Sequence, residues 1–369
     1  MSPPAQRKPA SRRAPFALLL IVPVAPLLGY LLNAPQIWVF LAGAVAIAVL
    51  ADWIRRATEQ LATRVGPTVG GLVNISFGSL AELVLALFVL VDGRPDVVRA
   101  QITGSIMGTS LLGLGIAIVV GCFGRERLTF KRERASLLAT LLILAVIALL
   151  LPAVFDLTRH SLGLEQRLLL SEEQLSLGVA AILLLLYAGN LVYTLMTHRD
   201  VFAADEPRSS DENPWPLKLS LFVLVMATAA VAVESELVAG ALMDSSAALG
   251  MSPVFLGVVV LALVGTASDL FAAAWFARQG KMGLALTMCV GSAIQIALVV
   301  APLLVVASWL LGHPMSLVFS NPLDLFAIAA TAFIVNAITS DGEATWFEGM
   351  MLIGVYGLLA LAFFLIPAA

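Results

Sequence analysis

Two carboxylates stand where the hydrophobic pattern leaves little room for a charge. Glu82 follows Phe77-Gly78-Ser79-Leu80-Ala81, and Asp269 follows Val264-Gly265-Thr266-Ala267-Ser268, each beyond the middle of an apolar run. A charged residue at the centre of a membrane helix costs about 2.5–3.5 kcal/mol even on a lenient insertion scale. Neither run contains a Lys or Arg of its own, so a cation or a proton is expected to neutralise each acid. A group that is neutral when protonated, and neutral again when it holds a cation, has the chemistry of exchange.

Helical spacing gathers oxygen-bearing neighbours around both acids. Gly78 and Ser79 lie four and three positions before Glu82, and Gly265 and Thr266 stand in the same relation to Asp269, so each set shares a face. The following runs add Ser105 with Thr109 and Ser292 with Gln295 at one-turn spacing. Glycines 78, 104, 108, 265 and 291 allow close backbone approach and carbonyl exposure. Packing alone also accounts for any single Ser, Thr or Gly of this set. Oxygen-only ligands suit hard cations such as Ca²⁺, Mg²⁺ or Na⁺. Cys122 and Cys289 have no metal or redox spacing and read as small apolar helix residues. Glu234 and Glu236 read as a candidate gate on an aqueous path, or as residues near the outer end of their span. Asp52, Asp156, Asp324, Asp341, Glu343 and Glu348 fall near span ends, where a wet structural role is expected, and His160, His198 and His313 also lie near ends.

These residues need a membrane scaffold to position them. The 369 residues are 60% hydrophobic and 12% charged, with a mean hydropathy of +0.99, which places the chain in the helical membrane class and leaves no soluble domain for a nucleic-acid partner. At about 20 apolar residues per crossing, about eleven spans are expected: 15–33, 37–54, 67–91, 100–123, 135–156, 174–197, 217–240, 252–277, 284–311, 323–339 and 347–367. The basic start resembles a signal peptide, but no small-residue cleavage site follows, and an uncleaved first helix is expected. Cationic loops stay cytoplasmic. With the N-terminus inside, all but Arg94, Arg99, Arg159 and Arg167 of the 21 Lys and Arg fall on the cytoplasmic side, so the C-terminus is expected outside.

Shifting the chain by the interval between Glu82 and Asp269 superimposes two regions without a gap. Gly70 meets Gly257, Gly78 meets Gly265, Ala86 meets Ala273, Gly93 meets Gly280, Arg94 meets Lys281, and Gly104-Ser105 meets Gly291-Ser292. The shift equals five spans, an odd number, so the two copies run in opposite directions. Inverted repeats with a midplane site are a transporter architecture. The expected fold is an all-α polytopic membrane protein with one extra N-terminal helix and two inverted five-helix repeats. Its parts are a basic cytoplasmic tail (1–14), the extra helix (15–36), a first repeat (37–197), an acidic cytoplasmic linker (198–216) and a second repeat (217–369).

The chain resembles the cation/proton exchanger branch of the calcium/cation antiporter superfamily from about Ala57 onward. The resemblance lies in Gly66-Pro67-Thr68-Val69-Gly70-Gly71-Leu72-Val73-Asn74, Thr197-His198-Arg199-Asp200, Val233-Glu234-Ser235-Glu236-Leu237, Gly291-Ser292-Ala293-Ile294-Gln295-Ile296-Ala297-Leu298 and Ser340-Asp341-Gly342-Glu343. It implies exchange of Ca²⁺ for H⁺ through one acid in each repeat, without a cofactor and without enzymatic chemistry. The chain also departs from the family pattern. Ser79 and Thr266 stand where Asn is usual, Asp269-Leu270 where Glu-His is usual, Gly108-Thr109 where Ser-Asn is usual, and Arg55-Arg56 where an acidic Gly-Glu is common. Hydroxyls retain a cation site, and the resemblance implies Ca²⁺ as its cargo. Na⁺ or another monovalent cation is the alternative cargo, and a passive channel or sensor is the alternative class. The expected partners are the lipid bilayer, inorganic cations and protons, and the expected location is a bacterial plasma membrane.

Overall fold

The apolar runs fold as helices wherever the structure describes them. The computed structural model describes residues 18–65, 77–161, 169–193, 215–312, 314–319 and 321–366. The basic tail, most of the acidic linker, the Gly66–Asn74 motif, His198 and His313 lie outside those residues. Among the described residues, nine helices are long and apolar enough to cross a membrane: α2 (Gln36–Val65), α4 (Pro95–Cys122), α5 (Arg132–Ser161), α6 (Leu169–Val192), α7 (Leu217–Leu249), α8 (Pro253–Arg278), α9 (Met282–Leu310), α10 (Pro322–Thr339) and α11 (Trp346–Phe364). Two shorter apolar segments, α1 (Leu19–Leu31) and α3 (Leu80–Val91), complete the series. The protein is an integral membrane protein. Phe271, Trp275, Phe333 and Leu358 point outward with most of their surface exposed, while Phe40, Ile47, Leu85, Met107 and Phe363 are buried inside.

Helix ends follow local chemistry. Gly250 closes α7 at φ +64°, and the Ser252 side chain then accepts from the Phe255 amide to open α8, with Pro253 at its first position. Asn321 accepts from Leu323 at the start of α10, and Thr345 with Glu348 forms a capping box on α11. One exception to the all-α expectation is a two-stranded antiparallel ribbon, β1 (Leu128–Thr129) with β2 (Glu343–Ala344), joined further by an Arg127–Glu343 ion pair.

Three of the limits that differ from those expected bear on the acids. The span at 37–54 continues as helix to Val65, because Asp52, Arg55, Arg56 and Glu59 pair at three- and four-residue spacing and satisfy one another along its face. The span at 217–240 continues to Leu249, which puts Glu234 and Glu236 in the middle of α7 and not near its end. The described part of the 67–91 span turns at Gly78-Ser79 before α3 begins, so Glu82 occupies the first turn of a short helix, whereas Asp269 sits mid-helix in α8.

Packing repeats with a shift of five helices. The closely packed pairs α2–α8, α4–α11 and α5–α9 have counterparts in α7–α3, α9–α6 and α10–α4, while α2–α7 and α5–α10 map onto themselves. The local backbone repeats as well. After Ser105, α4 widens into a π-helical segment (Gly108–Gly113), and after Ser292, α9 does so at the shifted position (Ile296–Val300). Such segments are frequent at functional sites.

Candidate cation site

The two halves meet at Glu82. Its side chain is 4% exposed, and both carboxylate oxygens lack a hydrogen-bond partner among the described residues. It lies against Gly265 of α8, where an added Cβ would stand 2.6 Å from Glu82 Cγ and 3.3 Å from its Oε1. Ser105 of α4 faces the carboxylate, and Asp269 is near enough for the two negative charges to repel. The second half repeats this relation, since Ser292 of α9 faces Asp269. Ser292 Oγ is buried and without a partner among the described residues.

Backbones approach closely where this core is built. A Cβ on Gly104 would overlap the Val258 carbonyl oxygen and stand 2.7 Å from the Ala262 Cβ. A Cβ on Gly257 would stand 2.8 Å from the Val97 carbonyl oxygen. Glycine is needed at both positions because the chains touch main chain to main chain. Among the described residues, a Cβ on Gly291 would meet Thr287, at 3.9 Å.

The hydroxyl residues divide by what their protons do. Thr109 Oγ1 donates to the Ser105 carbonyl and Thr266 Oγ1 to the Ala262 carbonyl, each at 2.8 Å. Their lone pairs remain for an ion or a proton donor. Ser79 is buried in the turn ahead of α3 and makes no cap bond. Gln295 is half-buried on α9, one turn beyond Ser292. The candidate gate residues separate, for Glu234 is buried and its Oε2 lies 3.4 Å from a Cβ placed on Gly43 of α2, whereas Glu236 is exposed. Glu234 also borders a cavity of about 620 Å³ between α1, α2 and α7.

Three side chains escaped the sequence reasoning. Arg55 of α2 is paired with Asp52 and Glu59 on its own helix and lies within electrostatic reach of Asp269 on α8. The spacing of Asp52, Arg55 and Glu59 signalled a continued helix, but nothing in it indicated where that helix would pack. Gln101 shares a face of α4 with Ser105, is buried, and leaves its Oε1 without a partner among the described residues. Asp324, expected to be wet, is 4% exposed beside Thr103 and Arg99 because α10 packs its first turn against α4. Glu343 and Glu348 hold structural roles in the ribbon pair and the α11 cap.

A family model for sodium/calcium exchanger proteins matches residues 35–196 and 219–365. The chain belongs to the sodium/calcium exchanger family. The chain is 39% identical to the Ca(2+)/H(+) antiporter of Aphanothece halophytica over 95% of this chain and 96% of that one. It is 36% identical to the Ca(2+)/H(+) antiporter ChaA of Bacillus subtilis strain 168, covering 94% and 98%. The solved structure of native YfkE superimposes with a TM-score of 0.82 at 33% identity, covering 96% of this chain and all of that one. The exchanger-family assignment thus spans both carboxylates and the helices that carry them.

Proposed function

We propose that this chain is a secondary antiporter that exchanges Ca²⁺ for H⁺ by alternating access, with Glu82 and Asp269 holding the cation and the protons in turn. The observation that carries the reading is the Glu82 carboxylate, buried against Gly265 without a hydrogen-bond partner among the described residues and within reach of Asp269. Two carboxylates neutralise one divalent ion, and two protons restore the same neutrality, so either load is tolerated in a low-dielectric interior. Ser79, Ser105, Thr109, Thr266, Ser292 and Gln295 supply further oxygen ligands, and the glycines at 78, 104, 265 and 291 let the halves approach. Glu234, buried between α7 and α2, is the stronger gate residue of its pair. Full-length relatives named as Ca(2+)/H(+) antiporters support Ca²⁺ as the cargo. The Lys and Arg distribution supports a cytoplasmic N-terminus and an external C-terminus, the packing that recurs after five helices supports inverted repeats, and the bacterial relatives support a bacterial plasma membrane.

The test is proton release in everted vesicles. A pre-formed proton gradient is expected to collapse on addition of Ca²⁺, with Mg²⁺, Mn²⁺, Na⁺ and K⁺ tested alongside. Collapse by Na⁺ and by no divalent ion would replace the cargo with a monovalent one. Cation current without proton release would replace antiport with conduction.

A further inference from the structure

We infer that Arg55 is a tethered counter-cation of the Asp269 carboxylate, which competes with the transported ion for that acid. The inference rests on the reading of Asp269 as a cation and proton site.

Arg55 is held on α2 by its own helix. Its Nη1 lies 2.5 Å from Glu59 and its Nη2 lies 2.7 Å from Asp52, and the side chain is 17% exposed. Asp52 is shared with Arg56, whose Nε lies 2.6 Å away. These four side chains carry two positive and two negative charges, so the cluster is neutral without Asp269. One donor is left over: Arg55 Nε is buried and has no partner among the described residues. Simple stabilisation of a helix surface would leave that guanidinium in solvent, where such pairs are worth little. Here it is turned inward.

Arg55 shares a cavity of about 910 Å³ with the α8 segment that carries Asp269. Asp52, Arg55 and Arg56 line it from α2, and Ala267 and Ser268, the two residues preceding Asp269, line it from α8. The rest of the lining is apolar, including Val45, Val49, Leu263 and Val264. Asp269 is a further carboxylate within electrostatic reach of the guanidinium.

The chemistry follows from the guanidinium's permanent charge. Between release of the cation and arrival of protons, the site passes through a form with ionised carboxylates. A fixed positive charge nearby makes that form less costly. The same charge repels a divalent cation twice as strongly as a monovalent one. Arg55 therefore weakens cation binding and speeds release, and Asp52 and Glu59 set how much of its charge Asp269 feels.

The full-length protein in everted vesicles tests this through Ca²⁺-driven proton release, separating half-saturation from maximal rate. Arg55→Gln is expected to lower the half-saturating Ca²⁺ concentration by about threefold or more, together with a reduced maximal rate. Arg55→Lys retains the charge and should keep both parameters near the unmodified values. Glu59→Gln frees the guanidinium from one anion and should raise half-saturation, the opposite sign. Unchanged or raised half-saturation in Arg55→Gln overturns the inference, as does a shift of the same sign in Arg55→Gln and Glu59→Gln. If Arg55→Gln fails to insert, unchanged half-saturation in Glu59→Gln overturns it instead. Asp269→Asn run in parallel separates the two readings. Normal exchange in that variant defeats the site itself, whereas lost exchange beside unmoved Arg55 variants defeats only the counter-cation.

Discussion

A Cβ on Gly265 would stand 2.6 Å from Cγ of Glu82, so a residue of the second half shapes the space occupied by the acid of the first. The contact joins α3 to α8, and the sequence offset that pairs Glu82 with Asp269 does not reveal it. Gly265 lies within a helix, where Ala is the better helix former by about 1 kcal/mol. Gly265→Ala is therefore expected to leave the helix intact and displace the carboxylate. Exchange should fall at least about tenfold while the protein still inserts. Shortening the acid in the double variant Gly265→Ala/Glu82→Asp should recover part of the loss in the everted-vesicle assay. No interaction between the two substitutions would separate Gly265 from the acid's position.

Asp269→Asn keeps the shape of the side chain and removes its titratable group. Coupled exchange should be lost although membrane insertion is normal, and Glu82→Gln should behave alike. Asp269→Glu should retain exchange, since Ser292 still faces the carboxyl. Full activity with intact proton coupling in Asp269→Asn would leave Glu82 acting alone or with Glu234.

Gly104 of α4 meets α8 main chain to main chain. Gly104→Ala drives a methyl into the Val258 carbonyl. Overpacking of this kind costs about 1–3 kcal/mol. Thermal unfolding in detergent should show a clear drop in Tm for Gly104→Ala. An unchanged Tm would contradict the packing described for α4 and α8.

A fluorescent protein that matures only in the cytoplasm, fused after Ala369, should stay dark, while a fusion ahead of Met1 should be bright. The charge distribution motivates both expectations. A bright C-terminal fusion would reverse the parity on which inverted repeats depend.

Much of this protein is written in local pattern. The apolar runs of bilayer length, the acids inside them and the aligned glycines of the two halves are visible residue by residue, because hydropathy and helical spacing act over one or a few turns. Glu82 and Asp269 stand out for the same reason, since an uncompensated acid in an apolar run is a local anomaly. Helix ends were less legible where side chains pair along the axis, as Asp52, Arg55 and Glu59 do in carrying α2 to Val65. What only the tertiary structure decided is which faces meet. The burial of Asp324 follows from α10 packing on α4, the location of Gly265 beneath Glu82 follows from α8 packing on α3, and the reach of Arg55 toward Asp269 follows from α2 packing on α8. Those pairings depend on the rotation and depth of helices far apart in the chain, set by van der Waals fit between whole surfaces, and no spacing within one helix encodes them.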